Sequence, residues 1–244
     1  MLIGLSTTAL AVACSTSEPD TSATTTTTTA APTTNPPSST SVPAVTELTS
    51  ADFDAVATCS SLPPSGAGPF GLDEQFIRRD ITEGYPGHPL RLGLRITDES
   101  CAPHIGAEVE IWHADATGDY SAFTDSGTGK DEAGGTTFLR GTQITDSNGI
   151  AMFETIVPGW YPGRAVHIHI TLRTVEGDSR TGQLFFDESF LAEVFTEPDY
   201  VDNGPADTSN ASDGVAGGRA PILESAPGET SRGAGTVALL NLSR

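Results

Sequence analysis

Positive charge, cysteine and long hydrophobic runs are all scarce in this chain of 244 residues, and each scarcity narrows what the protein can be. Lysine and arginine number 12 against 32 aspartates and glutamates, which gives a net charge of −20. We expect no nucleic-acid partner, because phosphate binding needs a basic surface. The acidic balance favours solubility and mildly disfavours anionic substrates.

The hydrophobic run nearest the start, Ala9–Ala13, is too short to span a bilayer. It is typical of the end of a secretory signal, and with Cys14 it resembles a bacterial lipobox. We expect residues 1–14 to be an export signal with Cys14 lipidated, which predicts a cell-surface lipoprotein or a secreted protein. Two features depart from a lipobox: no Lys or Arg precedes the run, and Ala11 stands where leucine is usual. An ordinary signal peptide with an incidental cysteine is the alternative.

Threonine, serine, proline and alanine dominate the chain from residue 15 to residue 46. Such a segment buries too little apolar surface to offset the entropy of ordering, so residues 15–50 are interpreted as a disordered linker. It would hold a folded domain away from the membrane. Residues 51–244 suit one domain of β type.

Only three cysteines are present, and with Cys14 assigned to the signal, Cys59 and Cys101 are left as a pair. An exported chain can oxidise them, so we predict a Cys59–Cys101 disulfide that pins the segment before the first strand onto the sheet. With its cysteines used in this way, the chain is not expected to hold a structural zinc site.

Alternating apolar residues and turn signals predict about seven short strands, and six of them can be given bounds. The predicted strands are Leu90–Thr97, Ala107–His113, Ile150–Ile156, Ala165–Thr174, Thr181–Phe186 and Thr236–Leu242. Asp187 is a candidate cap for a short helix over 188–195, and 199–235 is interpreted as a surface excursion. The predicted fold class is therefore all-β: a β-sandwich of mixed or antiparallel strands with long loops and at most one or two short helices.

The most informative segment is the predicted strand that carries His167 and His169. Side chains two apart on a strand point to the same face, so both imidazoles can reach one point. Tyr161 stands at the turn that leads into the strand. Two histidines seldom complete a metal site, and the candidates for further ligands are carboxylates near strand ends and the four tyrosines. The carboxylates are Asp115, Asp119 and Asp187; among the tyrosines, Tyr161 lies beside the pair and Tyr120 closes the loop that follows the strand at 107–113.

Several fragments occur in one order along the chain, from about residue 68 to residue 186. They are Arg78-Arg79-Asp80-Ile81-x-Glu83-Gly84, Val109-Glu110-Ile111-Trp112-His113-Ala114-Asp115, Phe138-Leu139-Arg140-Gly141, Thr145-Asp146-x-x-Gly149, Pro158-Gly159-x-Tyr161, Arg164-x-x-His167-Ile168-His169 and Gln183-Leu184-Phe185-Phe186. In this ordered set the chain resembles the intradiol ring-cleavage dioxygenases, the group of catechol 1,2- and protocatechuate 3,4-dioxygenases, and most closely their exported single-domain branch.

The resemblance implies a non-haem Fe(III) cofactor held by Tyr120, Tyr161, His167 and His169. Phenolate is a hard anionic oxygen ligand that stabilises ferric over ferrous iron. The implied reaction is the cleavage of a catechol by O2 between its two hydroxyl-bearing carbons, to a cis,cis-muconate. Tyr161 matches the ligand that leaves the metal as a base when the diol binds.

The resemblance also assigns roles around the metal. Arg164 matches an arginine that stabilises anionic character in the substrate, and Gln183 matches a glutamine close to the substrate. Trp160 is a candidate for the pocket wall. Only five residues separate Tyr161 from His167, and we expect this short loop to open the pocket to bulkier catechols. Residues 121–137 are a candidate lid. No helical dimerisation domain is recognisable, so we expect a monomer or a small homo-oligomer.

Two alternatives stay open at this point. A cupin-like metalloprotein also uses His-x-His on a β fold, but it would need a glutamate four or five residues after His169, where Arg173 and Thr174 stand, and a further histidine downstream. A non-catalytic β-sandwich binding module would be expected to have lost at least one metal ligand.

Overall fold

A computed structural model describes residues 47–56, 59–123, 135–219 and 221–243. The described strands are β1 (Ser60–Ser61), β2 (Pro89–Thr97), β3 (Glu108–Trp112), β4 (Arg140–Ile144), β5 (Ile150–Ile156), β6 (His167–Arg173), β7 (Ser179–Phe186), β8 (Ile222–Thr230) and β9 (Gly233–Ser243). A 3-10 turn covers Ser50–Phe53, and the α-helix α1 covers Glu188–Val194. Within these described ranges no helix is both long and apolar enough to cross a bilayer.

The strands follow one hydrogen-bonded order, β4-β3-β6-β7-β8-β9-β2-β5, with β1 beside β9. The start of β8 pairs in parallel with β7, and the rest of β8 pairs antiparallel with β9. Strand β8 therefore joins the half that contains β6 to the half that contains β2. The two halves pack face to face, which confirms the predicted all-β sandwich with mixed strand pairing.

The core between the two halves is built from the alternating apolar positions of the strands. Leu92 and Leu94 of β2 are fully buried and share one hydrophobic cluster with Ile168 and Ile170 of β6. Burial of such side chains stabilises a fold by roughly 1.5–3 kcal/mol each. The same alternation turns the histidines of β6 to the opposite face of the sheet.

Most predicted elements have the expected positions. Strand β5 has the predicted bounds, and Asp187 caps α1 by accepting hydrogen bonds from the backbone of Ser189 and Phe190. The prediction for 199–235 is wrong in part, because β8 and the start of β9 lie within it. Strand β8 contains Pro227 and Gly228, and its apolar and polar side chains do not alternate regularly. The sequence therefore gives little sign of a strand there.

Strand β4 was also not predicted. Its five residues, Arg140–Ile144, contain only one large apolar side chain and show no alternation. It lies at one end of the strand order and pairs antiparallel with β3. The pairing partner, and not the local pattern, makes this segment a strand.

The described fold begins before residue 51. Leu48 and Phe53 lie against Gly93 of β2, where an added Cβ would clash with both side chains. Cys59 and Cys101 are joined by a disulfide across a sequence separation of 42 residues, with their Cα atoms 6.2 Å apart. Cys14 and nearly all of the predicted signal and linker lie outside the described residues.

Candidate metal centre and active site

His167 and His169 lie on the face of β6 that turns away from the sandwich core, and both are buried. The Nδ1 atom of His167 lies 2.6 Å from the carbonyl oxygen of Ala165. A carbonyl can only accept, so Nδ1 carries the proton and Nε2 keeps a free lone pair. Such a second hydrogen bond fixes the tautomer and the orientation of histidines that bind metals.

Neighbouring strands supply side chains to the same face. Trp112 of β3 and Gln183 of β7 are the register partners of His169, so the three residues form one row across the sheet. Phe185 is the register partner of His167. Directly paired residues share a face of the sheet, so this row forms one surface, the floor of the site. The loops that carry Tyr120 and Tyr161 reach this floor.

Tyr120 is brought to this floor by a tight loop after β3. The Asp115 carboxylate accepts hydrogen bonds from the backbone of Thr117 at 2.8 Å and of Asp119 at 3.0 Å. Gly118 closes the turn with a positive φ of 93°. The carboxylate of Asp115 thus stabilises the loop through these hydrogen bonds. The loop ends at Tyr120, whose side chain is fully buried.

The loop that carries Tyr161 is tied to the Tyr120 loop by Gly159. The backbone N–H of Gly159 donates to the carbonyl of Asp115 at 2.8 Å. A Cβ at Gly159 would overlap the backbone of Ala116, so only glycine allows this approach. This contact between loops helps to bring together two tyrosines that are 41 residues apart in the chain.

Four potential ligand atoms converge. The Nε2 atom of His167 lies 3.1 Å from Nε2 of His169 and 3.4 Å from the hydroxyl oxygens of both Tyr120 and Tyr161. Ligand atoms bound at about 2.0–2.1 Å to one metal ion lie roughly 3 Å apart, so the spacing fits a single ion. In the described part of the chain, no group of three or more His, Cys, Asp or Glu side chains could hold a metal, so the tyrosines are essential to the set.

The protonation states of these groups fit a cation among them. Burial, with a smaller contribution from Arg164, lowers the pKa of His167 to about 4, and burial with His167 holds the pKa of His169 well below its usual value. Both imidazoles are therefore neutral at pH 7. Burial raises the pKa of Tyr161, and burial with Tyr161 raises the pKa of Tyr120 well above its usual value. The phenolates thus need a metal cation to form, and two phenolates with two neutral imidazoles fit ferric iron.

Arg164 connects the tyrosine ligand to Gln183. Its Nη1 donates to the Tyr161 hydroxyl at 3.2 Å, and its Nη2 donates to Oε1 of Gln183 at 2.6 Å. The Nε2 of Gln183 lies 3.5 Å from Nδ1 of His169, at the outer limit of a hydrogen bond. The structure therefore places both predicted polar residues directly beside the ligands.

Two residues that the sequence did not single out also build the site. Phe70 stacks on Tyr120, with ring centroids 4.3 Å apart, and meets Tyr161 edge-on. Arg140 is buried and donates to the carbonyl of Phe70 and to both the hydroxyl and the carbonyl of Ser121. Arg140 thereby holds Phe70 close to Ser121, the residue that follows Tyr120. It lies within one of the fragments quoted above, but that fragment does not reveal its partners.

Trp160, the candidate for the pocket wall, is half-buried, packs against the main core, and donates through Nε1 to the carbonyl of Gly204 at 3.0 Å. A second aromatic cluster consists of Phe70, Trp112 and Tyr120, with Phe123 and Tyr161 beside it. The central part of the candidate lid, 124–134, lies outside the described residues.

Comparison with known proteins shows which family the chain belongs to. A family model described as "Dioxygenase" matches residues 68–196. An intradiol ring-cleavage dioxygenase from Tetranychus urticae is 35% identical, with a TM-score of 0.67, and the match covers 76% of this chain and 94% of that one. The chain therefore belongs to the intradiol ring-cleavage dioxygenase family, a family of enzymes, and the cupin alternative is excluded.

Other relatives are more distant. The catechol 1,2-dioxygenase of Acinetobacter baylyi is 38% identical over 86 residues, which are 35% of this chain and 26% of that protein. The chain thus spans about a quarter of the length of the curated relatives it matches: 26% of one and 27% of the other. A dioxygenase domain from a Streptomyces species shares the fold at a TM-score of 0.53 and 24% identity.

Proposed function

We propose that this protein is a non-haem Fe(III) dioxygenase that opens the ring of a catechol-type diol between its two hydroxyl-bearing carbons, with both atoms of O2 entering a muconate-type product. The observation that carries the proposal is the convergence of two phenol oxygens and the imidazole nitrogen of His169 around Nε2 of His167, at distances of 3.1–3.4 Å from it. Family membership supports it independently.

The chemistry that ferric iron supplies when bound is the withdrawal of electron density from a chelated diol, so that its ring can react with O2. The four residues proposed to hold the iron differ in exposure. Tyr120, His167 and His169 are buried, whereas Tyr161 is partly exposed and is followed by exposed residues. Tyr161 is therefore the ligand that an incoming diol can reach and displace.

The released Tyr161 would act as a base. Its phenolate oxygen would take a proton from the incoming diol and become a neutral hydroxyl, because burial raises the pKa of this phenol. Nη1 of Arg164 donates to that oxygen at 3.2 Å and would stabilise its phenolate form before the proton is taken. The same guanidinium stabilises negative charge that develops beside it. Gln183 fixes the other arm of the guanidinium at 2.6 Å.

The test is direct. Protein reconstituted with Fe(III) should be wine-red from tyrosinate-to-iron charge transfer, and should consume O2 when catechol is added. A protein that stays colourless and iron-free after reconstitution would refute the proposal. A red protein that consumes no O2 with any diol would leave the metal site standing and refute the activity.

The substrate is proposed only as a class. A panel of catechol, protocatechuate, hydroxyquinol and caffeate separates small from bulky diols and neutral from anionic ones. If the short loop between Tyr161 and His167 opens the pocket, kcat/KM with caffeate should equal or exceed that with catechol. Preference for unsubstituted catechol would contradict an open pocket.

We further propose that the protein is exported and attached to the membrane only through a lipid on Cys14. The Cys59–Cys101 disulfide supports an oxidising location. Mass spectrometry of the membrane fraction should find a diacylglyceryl group on Cys14, and Cys14→Ser should release the protein. Sedimentation of the purified domain should give a monomer or a small homo-oligomer.

A further inference from the structure

Asp213 lies beneath Arg164 and is almost completely buried, although it belongs to the segment that the sequence suggested to be a surface excursion. Its Oδ2 accepts hydrogen bonds from Nε of Arg164 at 2.9 Å and from the backbone N–H of Ala165 at 2.8 Å. Its Oδ1 accepts from the backbone N–H groups of Val215 at 2.7 Å and Ala216 at 2.9 Å. The carboxylate is therefore held by its own loop and holds Ala165, two residues before β6 begins.

These contacts keep Asp213 ionised. Burial by itself would raise the pKa of this carboxyl, but hydrogen bonds from Ala216, Ala165 and Arg164 outweigh burial and lower the pKa to about 2. A buried charge of this kind persists only when it is paired and hydrogen-bonded on all sides. Arg164 is its charged partner within the described residues.

The guanidinium of Arg164 donates hydrogen bonds in three directions. Nε donates to Asp213, Nη1 donates to Tyr161 and Nη2 donates to Gln183. A guanidinium is planar, so fixing Nε by an anchored carboxylate fixes the directions of both Nη groups. Without Asp213, Arg164 could rotate about its flexible stem away from Tyr161.

We propose that Asp213 is a positioning residue of the active site: it holds the guanidinium of Arg164 in the orientation that meets Tyr161 and Gln183. The segment between α1 and β8 is then part of the catalytic apparatus and not only a connection. Asp213 itself touches neither the ligand atoms nor, as proposed, the substrate. Its effect on turnover rests on the proposed function, whereas its effect on Arg164 does not.

The kinetic test uses Asp213→Asn, with Asp202→Asn as the control, because Asp202 is an exposed carboxylate of the same segment. In Asp213→Asn the amide NH2 must face N–H groups on one side, those of Arg164 and Ala165 or those of Val215 and Ala216, and the charge that pairs with the guanidinium is lost. The guanidinium should therefore lose its fixed orientation. We expect kcat to fall by about 10- to 100-fold, with KM changed much less, because misplacement by an ångström costs on this scale. The control should keep the kcat of the unaltered protein. Equal kcat in both variants would overturn the proposal.

A double-mutant cycle with Arg164→Lys separates positioning from general destabilisation. Lysine has no Nε donor fork, so Asp213→Asn should lower kcat little further in that background. Full multiplication of the two losses would show that Asp213 does not act through Arg164 and would overturn the proposal. Melting temperatures of all variants show which losses in kcat reflect unfolding.

An independent measurement needs neither iron nor turnover. In the metal-free protein the Nε–H signal of Arg164, assigned by its absence in Arg164→Lys, should exchange slowly with solvent, because its acceptor is buried. Fast exchange in the unaltered protein would overturn the proposal even if Asp213→Asn fails to fold. If the iron-loaded protein opens no diol ring while this proton stays protected, the proposed function fails and the positioning of Arg164 stands.

Discussion

The indole of Trp112 lies parallel to the imidazole of His169, with ring centroids 4.8 Å apart and 7° between the ring planes. The two residues are register partners on β3 and β6. Trp112 is buried, so it forms a wall that limits how far the imidazole can swing. The relationship makes the orientation of a proposed metal ligand depend on an aromatic residue of the neighbouring strand.

We expect Trp112→Ala to lower the free energy of unfolding by about 3–5 kcal/mol, as truncation of a buried aromatic side chain does. It should also lower the iron content after reconstitution, because the indole no longer restricts the orientation of the His169 imidazole. Trp160→Ala is the matched control: Trp160 packs against the main core, away from the ligand cluster. Unfolding by urea and iron analysis of both variants provide the check. An equal loss of iron in the two would contradict a specific role for Trp112.

The two tyrosine ligands should have distinct spectroscopic effects. Tyr120→Phe removes a fully buried phenol, so the charge-transfer band should weaken or shift to the blue. Turnover should fall by at least the 10- to 100-fold typical of residues that only support a metal ligand. Visible spectra and O2 uptake measure both effects.

Tyr200→Phe is the control for Tyr120→Phe. Tyr200 is also fully buried, but its hydroxyl donates to the carbonyl of Val157 and lies outside the ligand group. This control should lose stability and keep the band of the unaltered protein. A spectrum unchanged in Tyr120→Phe would remove Tyr120 from the ligand set.

Acid should destabilise the metal-free protein over a defined range. Burial lowers the pKa of His113 to about 4, against roughly 6.5 in the unfolded chain, and the pKa of His167 is lowered to a similar value. Between these pH values the unfolded chain binds protons that the folded protein does not. Stability is therefore full above pH 6.5 and is lost as the pH falls towards 4.

Each such histidine contributes a slope of about 1.4 kcal/mol per pH unit inside this range. Nδ1 of His113 donates to the carbonyl of Ala114 at 2.8 Å, so Nε2 of the neutral ring accepts from the hydroxyl of Thr155 at 2.7 Å, and His113 is not among the proposed ligands. Denaturant titrations from pH 4 to pH 7 should show a shallower slope for His113→Gln than for the unaltered protein. An identical slope would mean that His113 is not buried in its neutral form.

Removal of the disulfide should lower stability through the unfolded state. Cys59 and Cys101 are 42 residues apart, and closing a loop of this length stabilises a fold by about 4 kcal/mol in the chain-entropy treatment. We expect the double variant Cys59→Ser, Cys101→Ser to melt at a lower temperature and to keep its iron, because neither cysteine is among the ligand residues. Two free thiols in the unreduced domain would contradict the disulfide.

How far the sequence predicts this site differs from residue to residue. The common face of His167 and His169 follows from alternation along one strand, which is a local property of extended backbone. The nearness of Tyr120 to His167 does not follow from any local pattern. It depends on the contact of Gly159 with the Asp115 carbonyl, which forms only when two distant loops meet.

The same distinction applies to the fold. Strand β5 could be predicted to its ends, because a turn with Asn148-Gly149 precedes a strongly apolar run. Strands β4 and β8 could not, because what defines them is their pairing with β3, β7 and β9. Asp213 was missed for a related reason: no nearby sequence signal distinguishes it from exposed aspartates of the same segment.

By itself, then, the sequence determined the chemical types of the proposed ligand atoms, the face that the histidines share and the all-β class of the fold. These depend on residue identity and on the two-residue period of a strand, and both can be read along the chain. Only the tertiary structure decided which side chains surround the ligands: Trp112 beside His169, Phe70 on Tyr120, and Asp213 beneath Arg164. Strand register and contacts between loops set those neighbours, and both result from packing between segments far apart in sequence.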